Sequence, residues 1–401
     1  MTGSSLPRPS AAIPRTVWAL GMVSLAMDVS SEMIHALLPL FLTGVLGASL
    51  AVVGVIDGIA EATAAIAKVF SGYVSDRIGK RRPLILLGYG LGAVSKPLFA
   101  LAGAPGPVLG ARFLDRIGKG LRGAPRDALV ADVTPPDLRG RAYGLRQSLD
   151  TVGAFLGPLL AVGLMALWAN DMRAVFWVAA IPAAISVGIA LIWVRDAAPP
   201  DRCDKAAAPI RTADLRNLSP AFWAVTGVGV IFTMARFSEA FLVLRADELG
   251  LPLALAPLVL VAMNVVYAAG AYPAGALADR IGTNWLLLGG VACLVAADLL
   301  LAFASGLAAC FAGILLWGLH MALTQGLLAQ LVAEHSRADL RGSAFGLFNL
   351  ATGLTLLAAS VLAGVLWDRG GADLTFLTGA GFALAAVLAI AALPLLFRAR
   401  A

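Results

Sequence analysis

Residues 72–82 read GYVSDRIGKRR, and residues 275–285 read GALADRIGTNW, 203 positions later. Two further pairs keep that spacing to within one residue. DLRGRAYGL at 137–145 returns as DLRGSAFGL at 339–347, and LVAD at 129–132 returns as LVAE at 331–334, each 202 positions on. Three matches at nearly one spacing mark a tandem duplication of a unit about half the chain long.

Composition says what kind of unit it is. Of 401 residues, 60% are hydrophobic and 13% charged, and the mean hydropathy is +0.87. Soluble domains are about 45–50% apolar and about a quarter charged. A water-soluble enzyme, a disordered tail and a nucleic-acid binder are therefore excluded. Apolar runs predict helical spans at 17–43, 50–72, 83–103, 106–131, 142–167, 174–194, 221–244, 252–277, 285–303, 308–333, 343–367 and 374–397. A bilayer core needs about 20 such residues per helix. The expectation is an all-α integral membrane protein of twelve transmembrane helices. Residues 1–194 form one six-helix bundle, 195–220 a cytoplasmic linker and 221–401 a second bundle. Six is even, so both copies insert the same way round, related by a pseudo-two-fold axis along the membrane normal.

The net charge of +6 reads as topology. Basic residues gather in alternate loops: Arg77, Lys80, Arg81 and Arg82, then Arg139 and Arg141, the middle loop, Arg337 and Arg341, and finally Arg398 and Arg400. The loops near 44–49, 104–106 and 304–307 have no Lys or Arg. The positive-inside rule then puts both termini in the cytoplasm and the chain, multi-pass, in the inner membrane. Met1–Pro14 shows no signal-peptide pattern, so the first apolar run is read as a retained span. Cys203, Cys293 and Cys310 make no disulfide framework, and no Cys/His cluster suggests a metal. The chain is expected to use no cofactor and to bind no nucleic acid.

Three stretches resemble the signatures of the major facilitator superfamily. Gly72 to Arg82, with Asp76, Arg77, Gly79, Lys80 and Arg81, resembles its loop 2–3 signature position for position. Arg116-Ile-Gly-Lys119-Gly-Leu-Arg122-Gly-Ala resembles its span 4 motif, with Lys119 where glutamine is common. Gly153-Ala-Phe-Leu-Gly157-Pro158 resembles the span 5 motif of its antiporters, without the glycine pair that usually follows the proline. The resemblance covers the whole chain and implies a transporter, usually a monomer, with gating at the loop 2–3 signature and at Gly157 and Pro158. It names no substrate.

Physical reasoning agrees on the loop. Gly72 allows close helix approach and Gly79 a tight turn. A carboxylate beside a basic cluster can latch one conformation and release it in another. The alternative is a cluster that only anchors topology. Asp279 and Arg280 are the weaker counterpart in the second copy, which lacks the basic run.

Span 4 is the most informative helix. Arg112, Asp115, Arg116, Lys119, Arg122, Arg126 and Asp127 project onto an arc of about 140° at 100° per residue. A charge facing lipid at midplane costs about 2.5–3.5 kcal/mol, so the stripe must face carboxylates or water. The matching positions of the second copy, Ile314 to Ala329, are uncharged, so the stripe belongs to the first half's own function. Partners stand in spans 1 and 2: Asp28, Glu32 and His35 share one face, and Asp57 and Glu61 share another. Ser31-Glu32 recurs as Ser238-Glu239, with Arg236 one turn earlier. A buried carboxylate near a movable arginine is what a proton-coupled carrier needs. Asp28, Glu32, Arg112 and Arg116 are the proton-coupling candidates. Glu61, Lys119, Arg122, Arg126, Arg236, Glu239 and His320 are the substrate-binding candidates. Asp57, near the outer end of span 2, is read as a static partner. Arg146 with Asp150 is read as structural, and His320 as either cavity-lining or hydrogen-bonded between helices. Gly88-Tyr-Gly-Leu-Gly92 lies in an apolar span with no nucleotide-binding context.

The function expected is a secondary active transporter, not an enzyme, with a small molecule and protons as its partners in the bilayer. Two cargo readings stand. The span 5 element and acidic span 1 suit efflux of a small organic solute by antiport. The basic stripe, with Lys68 and Lys96, suits an organic anion, unless the acids of spans 1 and 2 neutralise it. A non-transporting receptor is a remote third reading.

Overall fold

The computed structural model describes residues 13–135, 138–196, 218–281, 283–334 and 341–398. Among these residues every regular element is helical. Most of the linker read at 195–220 lies outside them.

The helices are α1 (Arg15–His35), α2 (Leu50–Ile78), α3 (Arg82–Leu101), α4 (Pro105–Val133), α5 (Arg139–Leu167) and α6 (Met172–Trp193). They continue as α7 (Pro220–Ala235), α8 (Ala240–Glu248), α9 (Leu258–Ile281), α10 (Thr283–Ala302), α11 (Leu307–Glu334) and α12 (Arg341–Arg398). A short turn at Leu38–Leu40 and a π-helical turn at Phe41–Val45 extend α1. Local chemistry sets several ends. Ser49 caps α2, Asp171 caps α6 through the amides of Arg173 and Ala174, and Ser219 caps α7. Gly79 closes α2 with φ 69°, a left-handed angle that suits glycine. Gly371, at φ 75°, interrupts the 58 residues of α12.

Among the described residues ten helical stretches are long and apolar enough to cross a membrane. Helix α4 is not among them, because its charges lower its hydropathy. The segment Ala344–Ala391 counts once, although Gly371 breaks it.

Span 7 departs from the expectation. The sequence predicts one continuous helix over 221–244, but Arg236, Phe237 and Ser238 are not helical. Side-chain hydrogen bonding competes with the helix here. The Ser238 amide donates to Ser360 Oγ at 3.2 Å, and the Ala240 amide donates to Ser238 Oγ at 3.1 Å. Hydropathy is blind to such a break, because both flanks are apolar.

Helix α1 packs on α5 and α6, and α4 packs on α2 and α3. In the second half of the chain α10 packs on α11 and α12, α9 on α11, and α7 on α12. The halves meet where α2 packs on α12 and α5 on α9. Lipid gives helices no hydrophobic reason to associate, so small residues and polar contacts carry the packing. A Cβ at Gly58 would stand 2.7 Å from Leu357, and one at Gly364 would stand 2.7 Å from Ala51 Cα. Gly88 and Gly118 do the same between α3 and α4: a Cβ on Gly88 would be 2.6 Å from the Gly118 carbonyl.

Candidate functional site

The α4 stripe faces protein, as its cost in lipid demands. From Arg112 to Arg126 it runs 14 residues, or about 21 Å of helix. Arg112 Nη2 lies 3.2 Å from Asp57 Oδ1, and Arg116 Nη2 lies 3.3 Å from Glu61 Oε1. Asp115 accepts from Lys96 Nζ of α3 at 2.8 Å, and the same ammonium donates to Ser31 Oγ of α1 at 2.9 Å. Arg126 donates to Ser24 of α1 and pairs with Asp127 at 3.4 Å and Asp150 at 3.9 Å. Arg146 joins that cluster, 2.6 Å from Asp150 and 3.7 Å from Asp127. The Arg146–Asp150 pair, read from sequence as structural, is thus part of an α4–α5 network. Arg122 is buried with its guanidinium 4.7 Å above the Tyr89 ring, a cation–π contact. Lys119 differs from its neighbours: it is exposed, and it has no hydrogen bond or ion pair among the described residues.

Helix α1 brings the acids opposite this stripe, and α5 glycines allow it. A Cβ at Gly153 would stand 2.9 Å from Asp28 Cβ, and one at Gly157 would stand 2.8 Å from Glu32 Cβ. Gly157 and the buried Pro158 therefore sit at the α1–α5 crossing, directly behind the candidate coupling acids. Asp28 makes no hydrogen bond or ion pair among the described residues, and the charges around it belong to Asp150, Arg122, Lys119 and Arg126. Glu32 lies 3.3 Å from His35 Nδ1, with Lys119 and Arg116 also near.

The break in span 7 completes the arrangement from the other half. Arg236 and Glu239 flank it, and the charged groups around Glu239 are His35, Arg236, Glu32 and Glu61. The structure therefore brings Glu32, Glu61, Lys119, Arg236 and Glu239 toward one region between the halves. His320 stands apart. It is fully buried, with both ring nitrogens unpartnered among the described residues. Phe232 and Trp317 meet its ring edge-on at 5.8 and 5.7 Å. Among the described residues the ring makes no interhelical hydrogen bond, and its buried position lines no open surface in this conformation.

Asp57 is the residue that sequence reasoning undervalued. One oxygen takes Arg112; the other accepts from Ser238 Oγ at 2.7 Å, across the halves. Asp368 of α12 makes a second crossing. Its two oxygens accept from the amides of Leu50 and Ala51 at 3.0 and 2.9 Å, capping α2. Both crossings lie toward the same end of the bundle, the one where α2 begins. The recurrence of Ser31-Glu32 as Ser238-Glu239 was a usable signal for Ser238; Asp368 had none.

At the opposite end Gly72 packs 3.4 Å from Ala124 of α4, measured from an added Cβ. Arg81 Nη1 donates to Ser75 Oγ at 2.7 Å and its Nε to Asp132 Oδ2 at 3.3 Å. Asp196 Oδ1 caps α3 through the amides of Arg81 and Arg82, both at 2.8 Å. Lys80 is exposed. The side chains of Asp76, Arg77, Asp279 and Arg280 lie outside the described set. No group of three or more metal-ligating side chains occurs among the described residues.

The family model described as Major Facilitator Superfamily matches residues 20–354 and 227–401. An uncharacterised MFS-type transporter of Methanocaldococcus jannaschii is 32% identical over 382 residues, 93% of each chain. The multidrug resistance protein MdtH of Edwardsiella ictaluri is 32% identical over 171 residues, 43% of this chain and 40% of its own. Among solved structures, the nucleoside transporter NupG aligns at a TM-score of 0.73 and 15% identity, covering 94% of this chain and 98% of its own. The human organic anion transporter MFSD10 aligns at 0.65 and 19%, covering 96% and 100%. The last two show a shared fold. Helices that cross a membrane many times, a charged stripe buried between them and a family match over almost all of the chain agree: this is an integral, multi-pass membrane protein, a transporter rather than an enzyme, and it belongs to the major facilitator superfamily.

Proposed function

We propose that the chain is a proton-coupled secondary transporter that exports a small organic solute by alternating access. Twelve spans would form two six-helix bundles, 1–194 and 221–401, with both termini and the linker cytoplasmic in the inner membrane. The solute would bind between the bundles. The working unit would be a monomer.

One observation carries the coupling assignment. The acids of α2, α4 and α5 meet three of the five bases of the stripe: Asp57 takes Arg112, Glu61 takes Arg116, and Asp127 with Asp150 takes Arg126. A stripe whose bases are mostly paired suits a charge relay better than an anion-binding wall. Among the described residues Asp28, beside Arg122 and Arg126, has no hydrogen-bond or ion-pair partner, and Glu32 stands beside Arg116. Such acids exchange protons when the surrounding arginines move. Similarity of part of the chain to a multidrug resistance protein supports export. Closure of the end that holds Asp57, Ser238 and Asp368 would represent the state open toward the cytoplasm. Asp76, Arg77, Gly79, Lys80 and Arg81 would close the other end.

The anion reading keeps one specific support, Lys119, which is exposed and has no ion pair among the described residues. A thermal-shift screen of the purified protein against organic anions, cations and neutral amphiphiles separates the two, since a ligand that binds only the folded state stabilises it. Stabilisation by cations or neutral amphiphiles supports the export reading. Stabilisation by anions, lost in Lys119→Gln, replaces it.

A further inference from the structure

Asp298 lies in α10, one turn from its end, and takes no part in the site above. It is fully buried, and neither carboxyl oxygen has a hydrogen-bond partner among the described residues. Gly379 of α12 makes room for it: a Cβ there would stand 2.8 Å from Asp298 Oδ2 and 3.0 Å from the Phe237 ring. Phe237 is the middle residue of the span 7 break. Its ring meets those of Phe241, Trp317 and Phe376 at 5.6, 5.5 and 5.4 Å. Phe237 and Gly379 also border a small cleft with Met234, Thr375 and Thr378.

The charged and titratable groups on the elements packed around Asp298 do not bond to it. Arg245 of α8 donates instead to the Leu301 and Ala302 carbonyls one turn along α10, and to Glu248 and Asp373. His320 of α11 is enclosed by Phe232 and Trp317. Arg236 and Glu239 flank Phe237 and attract each other, and Arg236 is also drawn to Glu61 of the first half. Tyr267 on α9 and Cys310 on α11 make no bond to Asp298 either. Burial of an ionised carboxylate without a cation or a donor is costly, and among the described residues Asp298 has neither.

We infer that Asp298 is a second proton-binding site, in the C-terminal half, covered by Phe237 and opened by movement of the span 7 break. The inference rests on the proton-coupled reading above and places a second proton in the same cycle. Ser238, next to Phe237, is held by Asp57 across the halves. Release of that bond frees Phe237 to swing toward the cleft. Water then reaches Asp298, the carboxyl proton leaves to it, and a carboxylate remains until the reverse movement reloads it.

Infrared spectroscopy of the full chain in lipid bilayers tests this without any substrate. At mildly alkaline pH the wild type shows a protonated-carboxyl band that Asp298→Asn removes. Asp298→Glu, which keeps an acid, shows a displaced band and covers the case in which the amide fails to fold. In Ser238→Ala/Asp368→Asn, which loosens the closed end, the same band is lost at that pH. An unchanged band in Asp298→Asn overturns the assignment, as does a glutamate variant with no displacement. A band that survives loosening of the closed end overturns the gating by Phe237. If the band behaves as stated while solute flux ignores a pH gradient, the proposed function fails and the proton site stands.

Discussion

Ser238 Oγ donates to Asp57 Oδ2 at 2.7 Å, so the break in span 7 is tied to α2 in the other half of the chain. The same carboxylate holds Arg112 of the α4 stripe through its second oxygen. A contact between halves and a member of the α4 ion-pair network therefore share one residue. Under the proposed coupling, a change in the charge of that network reaches the closure through Asp57.

Loss of the Ser238 hydroxyl should loosen that closure. One hydrogen bond contributes about 0.5–1.5 kcal/mol, a shift of roughly 2- to 13-fold in a two-state equilibrium. Spin-label distances between α2 and α12 near Ala51 and Asp368 should show a larger open population in Ser238→Ala, and larger still with Asp368→Asn. An unchanged distance distribution would mean that the bond follows closure without favouring it.

The Lys96–Asp115 pair tests the static part of the network. Both groups are buried, 2.8 Å apart. Removing one partner of a buried pair costs about 3–5 kcal/mol, while replacing both with apolar residues is often neutral. Lys96→Met or Asp115→Leu alone should lower the thermal midpoint strongly, and the double variant should recover most of it. Equal loss in all three would assign the pair a role beyond charge balance.

Gly157 should tolerate no side chain. A Cβ there would meet Glu32 Cβ at 2.8 Å and the Val29 carbonyl at 2.8 Å, and overpacking costs about 1–3 kcal/mol. Gly157→Val should fold poorly or fail to transport. Gly163→Ala on the same helix, where nothing lies within 4 Å, should behave as wild type and serves as the control.

Much of this was legible in the sequence, and the reasons are physical. The repeat at 72–82 and 275–285 and the apolar runs located most helices, because lipid demands long apolar stretches. The α4 stripe had to be covered by protein, and it is, by Asp57, Glu61, Lys96 and Asp150. Gly153 and Gly157 were recognised as a motif, but their use as the gap that admits Asp28 and Glu32 depends on a partner helix more than a hundred residues away. The break at Arg236–Ser238 was hidden because its hydrogen bonds reach Ser360 and Asp57. His320 drew attention as a polar residue on an apolar helix; its ring packs between Phe232 and Trp317, neighbours that periodicity alone does not reveal. Asp368 follows the apolar run 343–367 in a short polar stretch of the sequence and reads like any loop acid until the start of α2 is placed beside it.

Proton coupling through α1 is the central claim, and a flux measurement in proteoliposomes tests it most directly. A pH step, acid inside, is applied and the movement of an organic solute that stabilises the protein in the thermal-shift screen is followed. The account predicts accumulation in the wild type that collapses with a proton ionophore and is lost in Asp28→Asn or Glu32→Gln, with both variants still folded. Accumulation at the wild-type rate in both variants would contradict it.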